Sequence, residues 1–213
     1  MKLADYWQQP LSGVMNRRGT ATDWLDVAEI EVTTGALAIG DTLYFPNYQV
    51  EAAVPNGAYR VQALVHDYGV ERRIARLRAV PSTQAVIRQP DPIGNIPVDF
   101  GRVGVCDFAA FRLAFETTFT CADEKQAHYI SHLWAPYGEV RVAGWPMVYT
   151  KAGWGDDIYD VFPYADTSGG VVGIEAVFIE DDPYLMEDVE AFDINTLRDL
   201  RDQANERLDD RDS

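Results

Sequence analysis

Apolar and polar residues alternate through several segments of the chain, and this alternation predicts β-strands. The pattern is clearest at 27–33 and 59–65, and short strands are also predicted from Gly35 through 43–45. The turn sequence Asp67-Tyr-Gly69 predicts a hairpin that joins 59–65 to an antiparallel strand at 70–80. Further strands are predicted at the segments 84–88, 148–150, 158–164 and 171–179.

Helical spacing of apolar residues interrupts this strand pattern. Phe108, Phe111 and Phe115 share one face of a predicted helix, and Asp107 stands at its N-cap position. Two further helices are predicted, at 123–133 and from Asp193 to about residue 208. The fold class is therefore α+β, a mostly antiparallel sheet with inserted helices and an acidic C-terminal helix. We expect residues 1–190 to form one domain and 191–213 an acidic helical tail.

The charge of the chain is strongly negative, and it is concentrated towards the C-terminus. The sequence has 34 acidic and 18 basic residues, a net charge of −16. Residues 179–213 contain thirteen acids and four arginines, a net of −9, which leaves −7 for residues 1–178. Such a field attracts a basic protein partner and argues against direct binding to nucleic acid or to an anionic membrane.

The compartment is predicted from what the sequence does not contain. No apolar run approaches the roughly 20 residues of a membrane span, and residues 1–11 do not resemble a signal peptide. Cys106 and Cys121 are interpreted as reduced thiols rather than as a disulfide. We therefore expect a cytoplasmic protein.

A basic segment, Glu71-Arg-Arg-Ile-Ala-Arg-Leu-Arg78, reverses the sign of the charge locally. Side chains alternate along a strand, so Arg72, Arg76 and Arg78 are predicted to share one face. Three guanidinium groups on one face could bind a phosphate or carboxylate. The alternative is internal pairing with acids on neighbouring strands.

Carboxylates follow a glycine-flanked tryptophan in the segment Gly153-Trp-Gly-Asp-Asp157. With Asp99, the carboxylates of Asp156 and Asp157 could hold a hard divalent cation, although the spacing is not that of an EF-hand. The alternative is a tight turn that leads into the strand at residue 158.

A second candidate for metal binding is a set of three residues at helical spacing. Glu124, His128 and His132 are spaced i, i+4, i+8 and could chelate a metal, or they could be ordinary surface residues. The chain has no phosphate-binding glycine loop and no nucleophile motif, and no cofactor is predicted.

Exposed aromatic and acidic residues form the candidate surface for a partner, since tryptophan and tyrosine dominate binding hot spots. The predicted partner-binding residues are Trp154, Asp156, Asp157, Glu180, Asp181, Asp182 and Tyr184.

An ordered set of motifs between Gly35 and Phe178 resembles the bacterial family called domain of unknown function 4241. The matching segments are Pro55-Asn-Gly-Ala-Tyr-Arg-Val61, Val98-Asp-Phe-Gly101 and Gly153-Trp-Gly-Asp-Asp-Ile-Tyr159. The chain departs from the family pattern at Asn56, Asp157 and Asp160. The resemblance implies a shared fold and no particular activity. If the family has a site, the matching positions here are Asp99, Gly155 and Asp156.

Three functions are compatible with these patterns. The leading hypothesis is a non-enzymatic binding protein, an immunity protein or inhibitor that neutralises a toxin or another basic protein. The alternative is an enzyme that handles a nucleotide or another small molecule, with the arginine strand on the anion and the carboxylate loop on a metal. The third is a nucleic-acid mimic, which requires a continuous surface stripe of acids.

Overall fold

The computed structural model describes residues 1–119, 121, 124, 128 and 131–180. The predicted helix that follows Asp193, the domain boundary at residue 190 and the predicted partner residues Asp181, Asp182 and Tyr184 lie outside these ranges. In chain order the elements are α1 (Leu3–Trp7), β1 (Thr20–Ala21), β2 (Leu25–Val32), β3 (Ala36–Asp41), β4 (Gln49–Ala53), β5 (Gly57–Asp67), β6 (Arg72–Pro81), β7 (Ile87–Arg88), β8 (Gly94–Val98), β9 (Arg102–Asp107), α2 (Phe108–Thr118), β10 (Tyr137–Val142), β11 (Trp145–Lys151), β12 (Asp157–Ala165) and β13 (Val171–Val177).

The strands form two antiparallel sheets. The larger sheet has eight strands in the order β1-β5-β6-β13-β12-β7, with β2 also paired to β5 and β8 to β12. The smaller sheet has five strands in the order β10-β11-β9-β3-β4. The prediction of a β-rich, mostly antiparallel α+β fold is confirmed. The hairpin predicted at Asp67-Tyr-Gly69 is also confirmed, because β5 and β6 pair directly on either side of it.

The main hydrophobic core lies between the two sheets. Val61, Leu77 and Ile174 contribute to it from the eight-stranded sheet, and Ile39 and Val105 from the five-stranded sheet; all five are at most 1 % exposed. Alternation within each strand therefore places the remaining side chains of the eight-stranded sheet on its outer face.

Helix α2 packs on the opposite face of the five-stranded sheet. Phe111 and Phe115 join a second apolar cluster with Cys106 of β9 and Met147 of β11. The phenylalanine face predicted from helical spacing is therefore confirmed as the buried face. The described part of the chain is thus arranged as a helix, a five-stranded sheet and an eight-stranded sheet in successive layers.

Asp107 occupies the N-cap position of α2 as predicted, but its side chain makes no capping hydrogen bond. Its carboxylate accepts hydrogen bonds from the backbone N–H groups of Thr33 and Thr34 and from both threonine hydroxyls. Asp107 therefore fixes the turn between β2 and β3 to the junction of β9 and α2.

Residues 43–45, predicted as strand, form a turn instead. The backbone N–H of Phe45 donates to the carbonyl oxygen of Asp41 at 3.1 Å, and the N–H of Leu43 donates to Asp41 Oδ1 at 2.7 Å. The local side-chain hydrogen bond of an aspartate competes with strand pairing here, so the prediction was wrong for a recognisable reason.

Candidate functional site

The basic strand β6 contains a β-bulge that divides its arginines. Leu64 pairs with Arg76 and Val65 pairs with Ile74, so Ala75 is an extra residue on β6. Both Ile74 and Leu77 consequently enter the core between the sheets, which strict alternation would not allow. Arg76 and Arg78 therefore lie on the outer face of the sheet, whereas Arg72 lies before the bulge.

Arg72 has a structural role and does not join the other two arginines. Its Nε donates to Asp67 Oδ2 at 2.9 Å, and its side chain is 6 % exposed. Its two Nη groups donate to backbone carbonyl oxygens of the N-terminal segment, those of Tyr6, Trp7, Gln9 and Pro10. The prediction that Arg72, Arg76 and Arg78 form one anion-binding face is therefore corrected at Arg72, because the bulge changes the alternation.

A row of polar residues crosses the outer face of the eight-stranded sheet. Asp26 pairs with Gln62, Gln62 with Arg78, and Arg78 with Glu175, on the adjacent strands β2, β5, β6 and β13. We call these four residues the polar row. Gln62 Nε2 donates to Asp26 Oδ1 at 2.7 Å, and Gln62 Oε1 accepts from Arg78 Nη2 at 2.8 Å. Asp26, Gln62 and Arg78 are thus joined directly by hydrogen bonds, and the hydroxyl of Tyr164 connects Arg78 to Glu175.

Glu175 is the buried centre of this network, with 0 % exposure. Its Oε1 lies 3.4 Å from Nη1 of Arg76 and 3.2 Å from Nε of Arg88. Its Oε2 accepts a short hydrogen bond from the hydroxyl of Tyr164. Burial, followed by the charge of Glu175, raises the pKa of Tyr164 to about 12. The phenol therefore stays protonated and donates to the carboxylate across the physiological range.

Aromatic rings cover the guanidinium groups next to Glu175. The Arg78 guanidinium lies 3.8 Å from the ring centroid of Trp24, and that of Arg88 lies 3.7 Å from the ring centroid of Phe162. Such stacking fixes the planes of the guanidinium groups and limits their contact with water. Arg78 Nη1 also donates to the hydroxyl of Tyr164 at 3.1 Å.

Four loops meet at one end of the sheets: 42–48, 68–71, 99–101 and 152–156. The strand registers require this, because Asp41 at the end of β3 pairs with Val103 near the start of β9, and Val98 at the end of β8 pairs with Asp157 at the start of β12. We call these four loops the loop end. They contain Glu71, Asp99 and Asp156 and no lysine or arginine.

A buried carboxylate anchors two of these loops. Asp41, 0 % exposed, accepts hydrogen bonds from the backbone N–H groups of Asp99 and Phe100 at 2.8 and 2.9 Å. Burial raises the pKa of Asp41, and the donated N–H groups offset part of that effect. The charge of the exposed Asp99 in turn raises the pKa of Tyr44 on the neighbouring loop. Loops 42–48 and 99–101 are therefore held in a fixed relation to each other.

Trp154 is the most prominent apolar side chain of loop 152–156, with 52 % exposure. Its indole contacts the guanidinium of Arg73, 4.0 Å from the ring centroid, and the ring of Tyr68 at 5.8 Å. Arg73 itself is held by Glu71, whose Oε2 accepts from Nη2 at 2.8 Å. The contacts with Arg73 and Tyr68 therefore restrain the exposed ring, which lowers the conformational entropy that it would lose on binding a partner.

The predicted carboxylates lie around this tryptophan. Asp156 and Asp157 are exposed, and the Oδ1 atom of Asp156 lies near the backbone of Gly101, next to the loop that contains Asp99. Gly153 lies against Phe178 and Ile179, so the exposed Glu180 follows close to the same loop. The structure thus brings together the described residues of the predicted partner surface.

The residues predicted as metal ligands do not form a ligand group in the described part of the chain. Among the residues that the structure describes, no three His, Cys, Asp or Glu side chains are grouped so that they could hold a metal ion. Asp99, Asp156 and Asp157 are all described, and they do not make such a group. His128 and His132 are close to each other, with ring centroids 4.7 Å apart, and His132 Nδ1 contacts the backbone carbonyl oxygen of His128.

We call Glu175 and the three arginines around it, Arg76, Arg78 and Arg88, the outer-face cluster, and two of its members were not predicted from the sequence. Arg88 lies in a loop-like segment rich in proline, and only its pairing with Tyr164 on β12 brings it to Glu175. Glu175 did carry a signal, because it is a single carboxylate within the apolar run 171–179. A lone acid in a buried strand indicates a paired or hydrogen-bonded group.

The two cysteines lie in different environments. Cys106 is buried and Cys121 is exposed, and both are free. Burial raises the pKa of the Cys106 thiol well above its ordinary value, which disfavours the nucleophilic thiolate form. Within the described ranges, no helix has the length and apolar character needed to cross a membrane.

A shallow apolar groove lies between α2 and the turn that joins β10 to β11. Its volume is about 550 Å³, and Leu113, Trp145 and Ala143 contribute to its lining.

A scan against protein-family models, a search of curated proteins and a search of the solved structures each found no match for this chain.

Proposed function

We propose that this protein is a non-enzymatic binding protein that recognises a basic protein partner through its loop end, as an immunity protein or inhibitor of a toxin does. The observation that carries the proposal is the position of the half-exposed Trp154 beside the exposed carboxylates of loops 99–101 and 152–156, with the guanidinium of Arg73 against its ring paired to Glu71. An aromatic anchor surrounded by carboxylates is complementary to a cationic groove.

The surface has the composition of an interaction site. Tyr48 of loop 42–48 and Trp154 of loop 152–156 are 58 % and 52 % exposed, and Asp99, Asp156 and Asp157 are exposed at the same end of the sheets. Loops at one end of a sheet sandwich commonly form binding surfaces, because the strands hold them rigidly while their sequences vary. Binding by preformed loops requires little reorganisation of the partner-free protein.

The overall charge supports the same partner class. A net charge of −16 accelerates the encounter with a cationic protein and repels nucleic acid and anionic lipid. The proposed compartment is the cytoplasm, where Cys106 and Cys121 would stay reduced. Membership of the domain of unknown function 4241 family remains a proposal that rests on the motifs between Gly35 and Phe178.

The enzyme alternative finds less support. It requires an arginine site and a metal site that act together, but Arg72 is engaged by the N-terminal segment. Asp99, Asp156 and Asp157 are not grouped as metal ligands. We therefore retain the binding function as the single proposal.

The test is affinity capture from the native host, followed by titration of the purified pair. We expect a basic protein whose affinity falls as salt rises, because the interaction is between opposite charges. Trp154→Ala and Asp156→Asn should each weaken binding by about tenfold or more.

The matched control for charge is Asp91→Asn, which removes one exposed carboxylate on the segment before β8, at the other end of that strand. It should leave the affinity close to that of the unmodified protein. Binding that is indifferent to salt, or that is reduced equally by Asp91→Asn and Asp156→Asn, would refute the loop end as the interface.

A further inference from the structure

A second site is indicated on the strands themselves, on the outer face of the eight-stranded sheet, and it does not depend on the proposed partner. Three arginines meet at Glu175 there. Arg76 and Arg88 share its carboxylate, at 3.4 and 3.2 Å. Arg78 reaches the same group through the hydroxyl of Tyr164. The guanidinium groups therefore converge on one point of a protein that is otherwise strongly acidic.

The acceptors of Arg78 are neutral. Its Nε and Nη2 donate to Gln62 Oε1 at 3.0 and 2.8 Å, and its Nη1 donates to the hydroxyl of Tyr164. The nearest carboxylate along the polar row, Asp26, contacts Gln62 and not the arginine. Arg78 thus contributes a positive charge that its own hydrogen-bond partners do not neutralise.

Arg88 is the accessible member of the cluster. Its side chain is 33 % exposed, against 18 % for Arg76. Glu175 lies at its Nε, and the ring of Phe162 covers its plane. Among the described residues, neither Nη group of Arg88 has a hydrogen-bond acceptor. This leaves the planar fork that binds phosphate and carboxylate oxygens in bidentate fashion.

The backbone provides the space for this arrangement. Gly173 stands opposite Tyr164 on β13, and a Cβ atom there would lie 2.6 Å from the carbonyl oxygen of Ala79. A side chain at this position would therefore collide with β6, so the glycine permits the close pairing of β13 with β6 that sets Glu175 opposite Arg78. The hydroxyl and the carboxylate then hold the guanidinium groups in place before any ligand arrives.

We propose that this cluster binds a small oxyanion, the phosphate or carboxylate group of a ligand, with Arg88 as the primary contact, Arg78 as the second source of positive charge and Glu175 as the internal counter-ion. Charged hydrogen bonds to a fixed, partly desolvated guanidinium are stronger than those to an exposed one. The anion would compete with Glu175 for the same positive field.

The experiment is calorimetric titration of the full chain with inorganic phosphate, and separately with succinate, at constant ionic strength. We expect saturable binding of at least one of these probes, and the comparison shows whether the site prefers phosphate or carboxylate. Arg88→Gln should weaken binding by about tenfold or more. Its control is Arg60→Gln, which removes the same charge from an exposed position on β5 and should change the affinity little.

Glu175→Gln provides the opposite signature. Removal of the internal counter-ion should tighten anion binding, because the arginines then lack their carboxylate. Circular dichroism and thermal unfolding show whether the variant is folded. If Glu175→Gln does not fold, Glu175→Asp replaces it in the test. The shorter carboxylate should pair more weakly with the arginines, so anion binding should again be tighter. The proposal is overturned if neither probe binds, if Arg60→Gln and Arg88→Gln lower affinity equally, or if a folded Glu175 variant binds no more tightly.

Discussion

The backbone N–H of Thr33 donates a hydrogen bond of 2.7 Å to Oδ2 of Asp107, 74 residues further along the chain. Together with the neighbouring Thr34, this contact ties the turn after β2 to the junction of β9 and α2. Asp107 is 4 % exposed, so these donated hydrogen bonds replace the contacts with water that its carboxylate loses on burial.

Replacement of Asp107 by alanine should therefore cost more than the loss of a helix cap. An N-cap substitution lowers the free energy of unfolding by about 1 kcal/mol. Loss of several hydrogen bonds to a buried carboxylate should lower it by about 3 kcal/mol. Urea unfolding of Asp107→Ala measures the difference, and Thr34→Val combined with it tests the coupling. A loss near the capping value, with no coupling to Thr34, would contradict the tether.

Arg72 should hold the N-terminal segment against the sheet. Its guanidinium binds Asp67 and four backbone carbonyl oxygens, so Arg72→Gln should release residues 3–10. We expect faster cleavage of this segment in limited proteolysis and faster amide exchange of α1. The control Arg60→Gln should digest like the unmodified protein, and equal digestion of both variants would argue against this role.

The turn between β10 and β11 contains a residue in an unfavourable conformation. Ala143 has a φ of +47° and is followed by Gly144 at +88°, between the paired residues Val142 and Trp145. Asparagine tolerates this region and precedes glycine in favoured two-residue hairpins. Ala143→Asn should raise the free energy of unfolding by about 1 kcal/mol.

The same substitution elsewhere serves as the control for this prediction. Ala53 is exposed on the extended strand β4, and Ala53→Asn should slightly lower stability there. Denaturant unfolding of both variants decides the matter, and a destabilised Ala143→Asn protein would show that the turn gains nothing from asparagine.

Three buried tyrosines predict how stability changes at alkaline pH. Burial raises the pKa of Tyr59, Tyr159 and Tyr164 to about 12, above the ordinary value of 10.0. The folded protein therefore keeps these protons while the unfolded chain loses them. The resulting stabilisation is complete below pH 10 and is lost as pH rises through about 12.

Urea unfolding across this pH range, with the ultraviolet absorbance of tyrosinate as a second readout, tests the prediction. Tyr59→Phe should make the alkaline decline less steep, because one of the three groups no longer titrates. Tyrosinate that forms near pH 10 in the folded protein would show that these phenols are not buried.

The sequence was most informative where a short motif decides a local structure. Asp67-Tyr-Gly69 correctly predicted the hairpin, and three phenylalanines correctly predicted the buried face of α2. It was least informative for β4, β9 and β10. β4 and β10 are short edge strands, and β9 pairs with β3 and β11, which are distant from it in sequence.

The candidate sites divide in the same way. The exposure of Trp154 and Asp156 was predicted because glycines and carboxylates are typical of an exposed loop, and their role in binding stays a prediction. The outer-face cluster could not be assembled from the sequence, since Arg88 and Glu175 are brought together only by the pairing of β12 with both neighbours. Alternation also failed at Arg72, because no residue type announces the bulge at Ala75.

The bulge at Ala75 divides β6 into two segments whose side chains alternate out of phase. Before Ala75, Arg72 binds the N-terminal segment and Arg73 contacts Trp154 of the loop end. After Ala75, Arg76 contacts Glu175 and Arg78 binds Gln62 of the polar row. Ile74 and Leu77 are three residues apart and both enter the core, so deletion of Ala75 would leave them two apart and restore regular alternation without moving either face. Deletion of both Ala75 and Arg76 would instead place Ile74 next to Leu77, and one of the two side chains would leave the core.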